Sequence, residues 1–220
     1  MVGLHPLSRG HIRIDDASLQ DWPQDQVGQY VGFLPQRIEL FDGTIAENIA
    51  SMEPDVDSGA VVEAAKRAEV HNLILSLPGG YNANVGLRGE LLSAGQRQRI
   101  GLARAFFGDK RLIVLDEPNA NLDPDGEGAL ARAVENAASA GAVVIVVTHR
   151  TGILQRMSHA GLMVNGRMTK FGSARDILSA SVQPMAPHQT INDPKVTPIQ
   201  KRSTSGRRSG SSTSAEGRSA

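Results

Sequence analysis

Residues 92–99 read LSAGQRQR and residues 112–117 read LIVLDE, and these two stretches, in this order, decide the fold. The first places a glycine-bearing turn at the start of a predicted helix, Gly95 to Phe107, whose free N–H groups and positive dipole end suit a phosphate. The second is a short apolar run, which predicts a buried strand ending in two carboxylates, Asp116 and Glu117. Such a carboxylate pair can supply a metal ligand and a base, so the two stretches together indicate nucleotide chemistry.

Apolar runs alternate with helical patterns on both sides of these stretches. Tyr30 to Leu34 and Ala142 to Thr148 predict two further buried strands, and Gly126 to Ala138 predicts a helix before the last of them. Near-continuous runs of Val, Ile and Leu that alternate with helices are typical of a parallel sheet covered on both faces. We therefore expect an α/β fold built on a parallel sheet.

The segment from about residue 44 to 108 is predicted to be a mostly helical insert. Thr44 to Ala50 and Ser58 to Leu77 carry apolar residues at helical spacing, and Asp57 or Ser58 is the expected N-cap of the second helix. Shorter elements are predicted nearer the ends: a strand at His11–Ile14, a hairpin of Gly161–Val164 and Met168–Phe171 around Asn165-Gly166, and a helix at Ala174–Ser179.

Polar side chains follow each of the three predicted strands of the sheet. Gln36 follows the first, Asp116 and Glu117 the second, and His149 the third. Because ligands bind beyond the carboxyl ends of parallel strands, we expect these side chains to gather at one edge. Asp116 could hold magnesium, Glu117 could deprotonate a water, and His149 could bind a terminal phosphate. Each also has a structural reading, since strands often end in acidic residues and a lone histidine is more often structural.

The phosphate loop that accompanies such motifs, G-x-x-x-x-G-K-[ST], occurs nowhere in the 220 residues. We therefore expect an N-terminally truncated ATPase domain whose first phosphate-binding part lies upstream. Without the backbone cradle and the lysine of that loop, MgATP affinity should fall severely. We expect no ATP hydrolysis by the isolated chain.

Composition limits the remaining possibilities. With 40% hydrophobic residues the chain can bury one core, and no apolar run approaches the roughly 20 residues of a membrane span. The absence of cysteine excludes disulfides and thiol chemistry. Residues 181–220, rich in Ser, Gly and Arg, are predicted to be a disordered tail. The tail is basic, and its Lys201 to Arg208 stretch is either simply solvated or binds acidic lipid or nucleic acid weakly.

From about Leu4 to Ala180 the chain resembles the nucleotide-binding domain of the ATP-binding cassette (ABC) transporter family, a P-loop NTPase fold whose helical insert carries a signature motif. The resemblance makes residues 1–180 a partial ABC ATPase domain, with Ala94 standing where the family usually has glycine. It implies that Glu117 and His149 are catalytic, that Asp116 and Gln36 are magnesium ligands, and that Gln36, Ser93, Ala94, Gly95, Gln96 and Asp123 bind ATP.

Three further stretches are similar to the exporter branch of this family: LFDGTIAENI at residues 40–49, NVGLRG at 84–89 and DEPNANLD at 116–123. The last of them is most similar to bacterial type I secretion exporters, which move proteins across the envelope. The resemblance implies ATP and Mg²⁺ as cofactors and a transmembrane domain as partner. It also implies a second nucleotide-binding domain in a head-to-tail dimer and a location at the cytoplasmic face of the inner membrane.

Two alternatives remain open at the level of the sequence. One is a catalytically inactive ABC remnant or regulator that supplies only a signature face to a site in another chain. The other is a non-transport ABC ATPase that acts on nucleic acid. The second is disfavoured because the globular body is acidic, opposite to the basic patch that nucleic acid requires.

Overall fold

The computed structural model describes Leu7, residues 9–14 and residues 17–182, so most of the predicted tail, including the Lys201 to Arg208 stretch, lies outside the described residues. The strands are β1 Arg13–Ile14, β2 Ala17–Ser18, β3 Val31–Leu34, β4 Leu112–Asp116, β5 Val143–Val147, β6 His159–Val164 and β7 Arg167–Ser173. The α-helices are α1 Gln24–Tyr30, α2 Ile45–Ile49, α3 Ser58–Arg67, α4 His71–Ser76, α5 Ala94–Ala105, α6 Pro124–Ser139, α7 Thr151–Leu154 and α8 Ala174–Val182. Within the described part of the chain, no helix is long and apolar enough to cross a bilayer.

The strands β3, β4 and β5 form a parallel sheet, as the sequence predicts, and they lie in that order. Leu34 pairs with Leu115 across β3 and β4, and Asp116 pairs with Val147 across β4 and β5. All three strands therefore end at the same edge. The polar residues at and after the strand ends therefore lie along this one edge of the sheet.

The strand β5 is less buried than predicted. Its apolar sequence predicts a fully buried strand, yet Val143 and Val147 are 60% and 47% exposed. Within the described residues β5 pairs only with β4, so it is an edge strand of this sheet. Apolar composition alone does not distinguish an edge strand from a central one, because both can carry Val and Ile.

The predicted helix from Ser58 to Leu77 is wrong as a single element. It is broken into α3 and α4 at Glu69, which has a φ of +60°. The Val70 N–H donates to Ala65 O at 2.8 Å and the Glu69 N–H donates to Lys66 O at 2.9 Å. This pair of bonds around a left-handed residue is a Schellman motif, which ends a helix. Glycine usually takes that position, so a glutamate there gives the sequence no stop signal.

Helix starts are closer to prediction. Asp57 is the N-cap of α3, where its carboxylate accepts a hydrogen bond from Gly59 N. Thr44 caps α2 in a capping box, in which Thr44 and Glu47 exchange hydrogen bonds between side chain and backbone. Local side-chain chemistry decides these boundaries, which is why they could be predicted.

The core lies between the parallel sheet and the helical insert. Its large, fully buried side chains come from β3, α2, α4, α5 and β4: Leu34, Ile45, Ile49, Ile74, Ile100 and Leu115. The helix α5 packs on β3 at the sheet and on α2 and α3 in the insert. The start of α5 is therefore held in a fixed place relative to the strand ends.

A hairpin of β6 and β7 follows the sheet, at the predicted place and longer than predicted. Its turn residues Asn165 and Gly166 have φ of +50° and +74°, as a type I′ turn requires. The predicted helix after the hairpin is confirmed as α8.

Candidate active site

The carboxylate of Glu117 and the imidazole of His149 meet where β4 and β5 end. Glu117 Oε1 lies 2.9 Å from His149 Nδ1, and the Glu117 side chain is 16% exposed while that of His149 is 77% exposed. The sequence predicts this meeting, because both residues follow neighbouring parallel strands. With Nδ1 engaged by the carboxylate, Nε2 is the ring nitrogen that can reach a ligand.

Thr148 also belongs to this group, although it is not among the residues predicted from the sequence. Its hydroxyl lies 3.4 Å from Glu117 Oε2 and 3.2 Å from the side-chain oxygen of the buried Asn119. The second carboxylate oxygen therefore also has a fixed neighbour. A hydroxyl at the end of an apolar strand, directly before a histidine, is the signal that could have identified it.

Asp116 ends β4 half-buried, with hard oxygen donors for a cation. No cluster of three or more His, Asp or Glu side chains occurs within the described ranges that could hold a metal by itself. Mg²⁺ does not need one, because it is commonly held by one or two protein oxygens together with substrate phosphates and waters. Asp116 and the amide oxygen of Gln36 follow adjacent strands, so this sparse donor set fits Mg²⁺.

The turn at residues 93–96 is a capping box at the start of α5. The Ser93 hydroxyl accepts a hydrogen bond from Gln96 N at 3.2 Å, and the Ser93 N–H donates to Gln96 Oε1 at 2.8 Å. The first-turn N–H groups of Ala94 and Gly95 have no intrahelical acceptor, by the geometry of an α-helix. They form the end of the helix dipole that favours an anion.

Asp123 is the N-cap of α6 and an ion-pair partner of α5. Its Oδ1 accepts a hydrogen bond from Gly126 N at 2.9 Å and another from Arg99 Nη2 at 2.5 Å. The Gly126 hydrogen bond, together with the Arg99 guanidinium, lowers the pKa of the Asp123 carboxyl from its usual value. One carboxylate thus connects two helices, and nothing in the sequence marks Arg99 as its partner.

Seven of the predicted site residues line three separate cavities. Gln36 shares a cavity of 440 Å³ with Ala94 and Gln98. Ser93, Gly95, Gln96 and Asp123 line a second, of 310 Å³. His149 lines a third, of 610 Å³, with Asn119, Glu127 and Arg150. The structure therefore joins Glu117 to His149 and Ser93 to Asp123, whereas Gln36 faces the start of α5.

Comparison with known proteins identifies relatives of this chain. The profile of the ABC transporter family matches residues 1–120. The chain is 48% identical over 184 residues to the type I secretion system ATP-binding protein PrsD of Rhizobium meliloti, covering 84% of this chain and 32% of that protein. It is 36% identical to the ATP-dependent lipid A-core flippase of Chromohalobacter salexigens, covering 83% of this chain and 31% of that protein.

A solved structure has the same fold. It is a bacterial Atm1-family ABC exporter with ATP bound, which matches with a TM-score of 0.74 and 28% sequence identity over 81% of this chain and 31% of that one. The chain spans about a third of the length of these relatives.

Proposed function

The chain belongs to the ABC transporter family, and on that premise we propose that it is the ATP-binding and ATP-hydrolysing domain of an exporter. ATP hydrolysis here drives transport through a membrane domain. The proposed cargo is protein, as in type I secretion, because the relative at 48% identity is named for that system.

The observation that carries the proposal is the contact of Glu117 with His149 at 2.9 Å, beyond the ends of two parallel strands. A partly shielded carboxylate next to an exposed imidazole suits a base beside a phosphate-binding group. The glycine-bearing start of α5 adds a second phosphate-binding element.

In the proposed reaction Glu117 accepts a proton from a water whose oxygen attacks the terminal phosphorus of ATP. The bond from that phosphorus to the bridging oxygen breaks, and ADP and inorganic phosphate leave. His149 contacts the terminal phosphate through Nε2, the ring nitrogen that Glu117 does not engage. Thr148 keeps the second oxygen of the Glu117 carboxylate in place, at 3.4 Å.

Asp116 and Gln36 are the residues that would hold Mg²⁺, by the donor chemistry described above. The ion, when bound, neutralises charge on the phosphates. Asp116 ends β4 and Gln36 follows the neighbouring strand β3, so both lie at the same edge of the sheet, with Gln36 next to the start of α5.

The start of α5 serves a second nucleotide-binding domain in this proposal. In a head-to-tail dimer the turn of Ser93, Ala94, Gly95 and Gln96 would face the terminal phosphate held by the other domain. The cavity of 310 Å³ that Ser93, Gly95 and Gln96 share with Asp123 lies at this turn and supports the assignment. The assembly would sit at the cytoplasmic face of the inner membrane, against a transmembrane domain.

The test is ATP hydrolysis by the polypeptide that contains this sequence, purified from the membranes of its source cells. We expect magnesium-dependent phosphate release that Glu117→Gln lowers by roughly 100-fold or more, the scale of a lost general base. The matched control is Glu63→Gln, which changes an exposed carboxylate paired with Lys66 on α3. Equal turnover by the wild type and Glu117→Gln, or no turnover by the wild type, would contradict the proposal.

The cargo is tested separately in cells. With Glu117→Gln in place, a secreted protein should accumulate inside the cells, while the lipid composition of the outer membrane stays unchanged. A lipid defect without a secretion defect would instead favour lipid transport.

A further inference from the structure

One face of α5 packs on the loop that follows β4, residues 117–123. Gly95, Gln98 and Arg99 lie on this face, at positions i, i+3 and i+4 of the helix. Gly95 approaches the loop so closely that a Cβ there would lie 2.8 Å from Asn121 O. Arg99 reaches the end of the loop through Asp123, at 2.5 Å. These contacts hold the second half of the loop to the helix, at Asn121 and Asp123.

Gln98 is the central contact of this face. Its side chain is 2% exposed, and Nε2 donates to Pro118 O at 3.0 Å and approaches Glu117 O at 3.4 Å. A buried amide is costly unless it is hydrogen-bonded, and here both bonds go to the backbone at the proposed catalytic base. An apolar side chain of the same length would fill the space without holding either carbonyl.

The backbone that Gln98 holds is in an unusual conformation. Glu117 has a φ of +48°, in the left-handed region that residues other than glycine rarely adopt. Such a residue persists only when its surroundings fix it. Its N–H is fixed by Val147 O at 2.8 Å, and its carbonyl accepts from Ala120 N at 3.2 Å and faces Gln98. The direction of the carboxylate toward His149 depends on this arrangement.

We propose that Gln98 is a positioning residue that couples the phosphate-binding start of α5 to the Glu117 carboxylate. A displacement of Ser93 when the second domain closes would move α5, and Gln98 would carry that displacement to the Glu117 backbone. The inference rests on the proposed function, because it concerns the same hydrolytic site. It also predicts a local structural effect that does not require hydrolysis.

The structural test is hydrogen–deuterium exchange of this chain. In Gln98→Met, amides of residues 117–122 should exchange roughly 3- to 10-fold faster, the fold-change that one net hydrogen bond is worth. Peptides from α3 should be unchanged. The matched control is Gln155→Met, which makes the same chemical change at an exposed residue. Unchanged exchange over residues 117–122 in Gln98→Met would overturn the proposal.

A second variant covers the case in which Gln98→Met exchanges faster everywhere because it unfolds. Gln98→Asn keeps an amide but is one methylene shorter, so it cannot reach both carbonyls. We expect the same local acceleration over residues 117–122. Exchange equal to that of the wild type would again overturn the proposal.

The kinetic test uses the membrane-purified polypeptide. Gln98→Met should lower kcat roughly 10- to 100-fold, the scale of a misplaced catalytic group, with the KM for MgATP within about twofold of the wild type. A kcat equal to that of the wild type would overturn the inference and leave the proposed function intact. A wild type without turnover would contradict the proposed function, while the exchange experiment still decides whether Gln98 positions the loop.

Discussion

Glu117 combines a strained backbone with the side chain proposed as the catalytic base. A non-glycine residue at a φ of +48° costs about 1–3 kcal/mol relative to ordinary backbone. Contacts with the sheet and with α5 offset this cost, because Val147 O accepts a hydrogen bond from the Glu117 N–H and Gln98 approaches the Glu117 carbonyl. The left-handed backbone at Glu117 turns the chain away from the direction of β4, and the carboxylate contacts His149. A relaxed extended residue at this point would continue β4 past the site.

Asp123 makes a prediction at the residue scale that depends on pH. The hydrogen bond from Gly126 N–H and the Arg99 guanidinium hold its pKa below the ordinary value. A carboxyl with a lowered pKa in the folded state stabilises the fold above its unfolded pKa of about 4, and this contribution is lost as pH falls through the folded pKa. Asp123→Asn should therefore lower the free energy of unfolding at neutral pH, and the difference from wild type should shrink in acid. Urea unfolding at a series of pH values measures this.

Asp125→Asn is the control for that experiment. It also removes one negative charge from the first turn of α6, but Asp125 is neither the N-cap nor the partner of Arg99. A pH-dependent difference of the same size in both variants would mean that the helix dipole alone is responsible, and the Arg99 pair would then have no role.

At the scale of elements, the contact of β3 with α5 depends on the absence of a side chain at Gly32. A Cβ at this position would lie 1.9 Å from the backbone oxygen of Ala105, at the end of α5. Gly32→Ala should therefore lower the free energy of unfolding by roughly 3 kcal/mol or more, since backbone must move to relieve the overlap. Thermal or urea unfolding of the chain measures the effect.

Gly28→Ala is the matched change in a neighbouring element. A Cβ at Gly28, within α1, meets nothing within 4 Å. Alanine also restricts the unfolded chain more than glycine does, so a gain of about 0.5 kcal/mol is expected. If both variants lost stability equally, close packing at Gly32 would not be the cause.

For the whole molecule, the decisive prediction concerns the 220-residue chain alone. It contains no Gly-rich phosphate loop with its lysine, so most of the backbone donors and the charge that hold ATP phosphates are missing from it. We expect weak MgATP binding by calorimetry and no phosphate release. Magnesium-dependent turnover that Glu117→Gln abolishes would show that these 220 residues form a complete site.

Much of the architecture follows from the sequence. The strands β3, β4 and β5 are short apolar runs. The helices α2, α3 and α5 are capped by Thr44, Asp57 and Ser93, whose side chains bind backbone amides of the first turn. These signals are local, so they can be read without knowing what packs on them. The parallel arrangement then brings the residues after each strand to one edge, and the contact of Glu117 with His149 follows.

The sequence could not predict features that depend on contacts between residues far apart in the chain. The break at Glu69 has no glycine to mark it in the sequence. The exposure of β5 depends on which strands pair with it, which its apolar composition does not reveal. In the sequence, Gln98 and Arg99 are indistinguishable from polar residues on an exposed helix face. Their role appears only in the fold, where the loop after β4 packs against them.

The sequence by itself determined the strands β3, β4 and β5, the helices α2, α5 and α6, and the chemical groups at the strand ends, because hydrophobic period and capping act over a few residues. Only the tertiary structure decided how those groups are held. The left-handed backbone of Glu117, its support by Gln98 and the bridge from Arg99 to Asp123 all require contacts between α5 and a loop about 20 residues further on. Such contacts form only when the core between the sheet and the insert is packed.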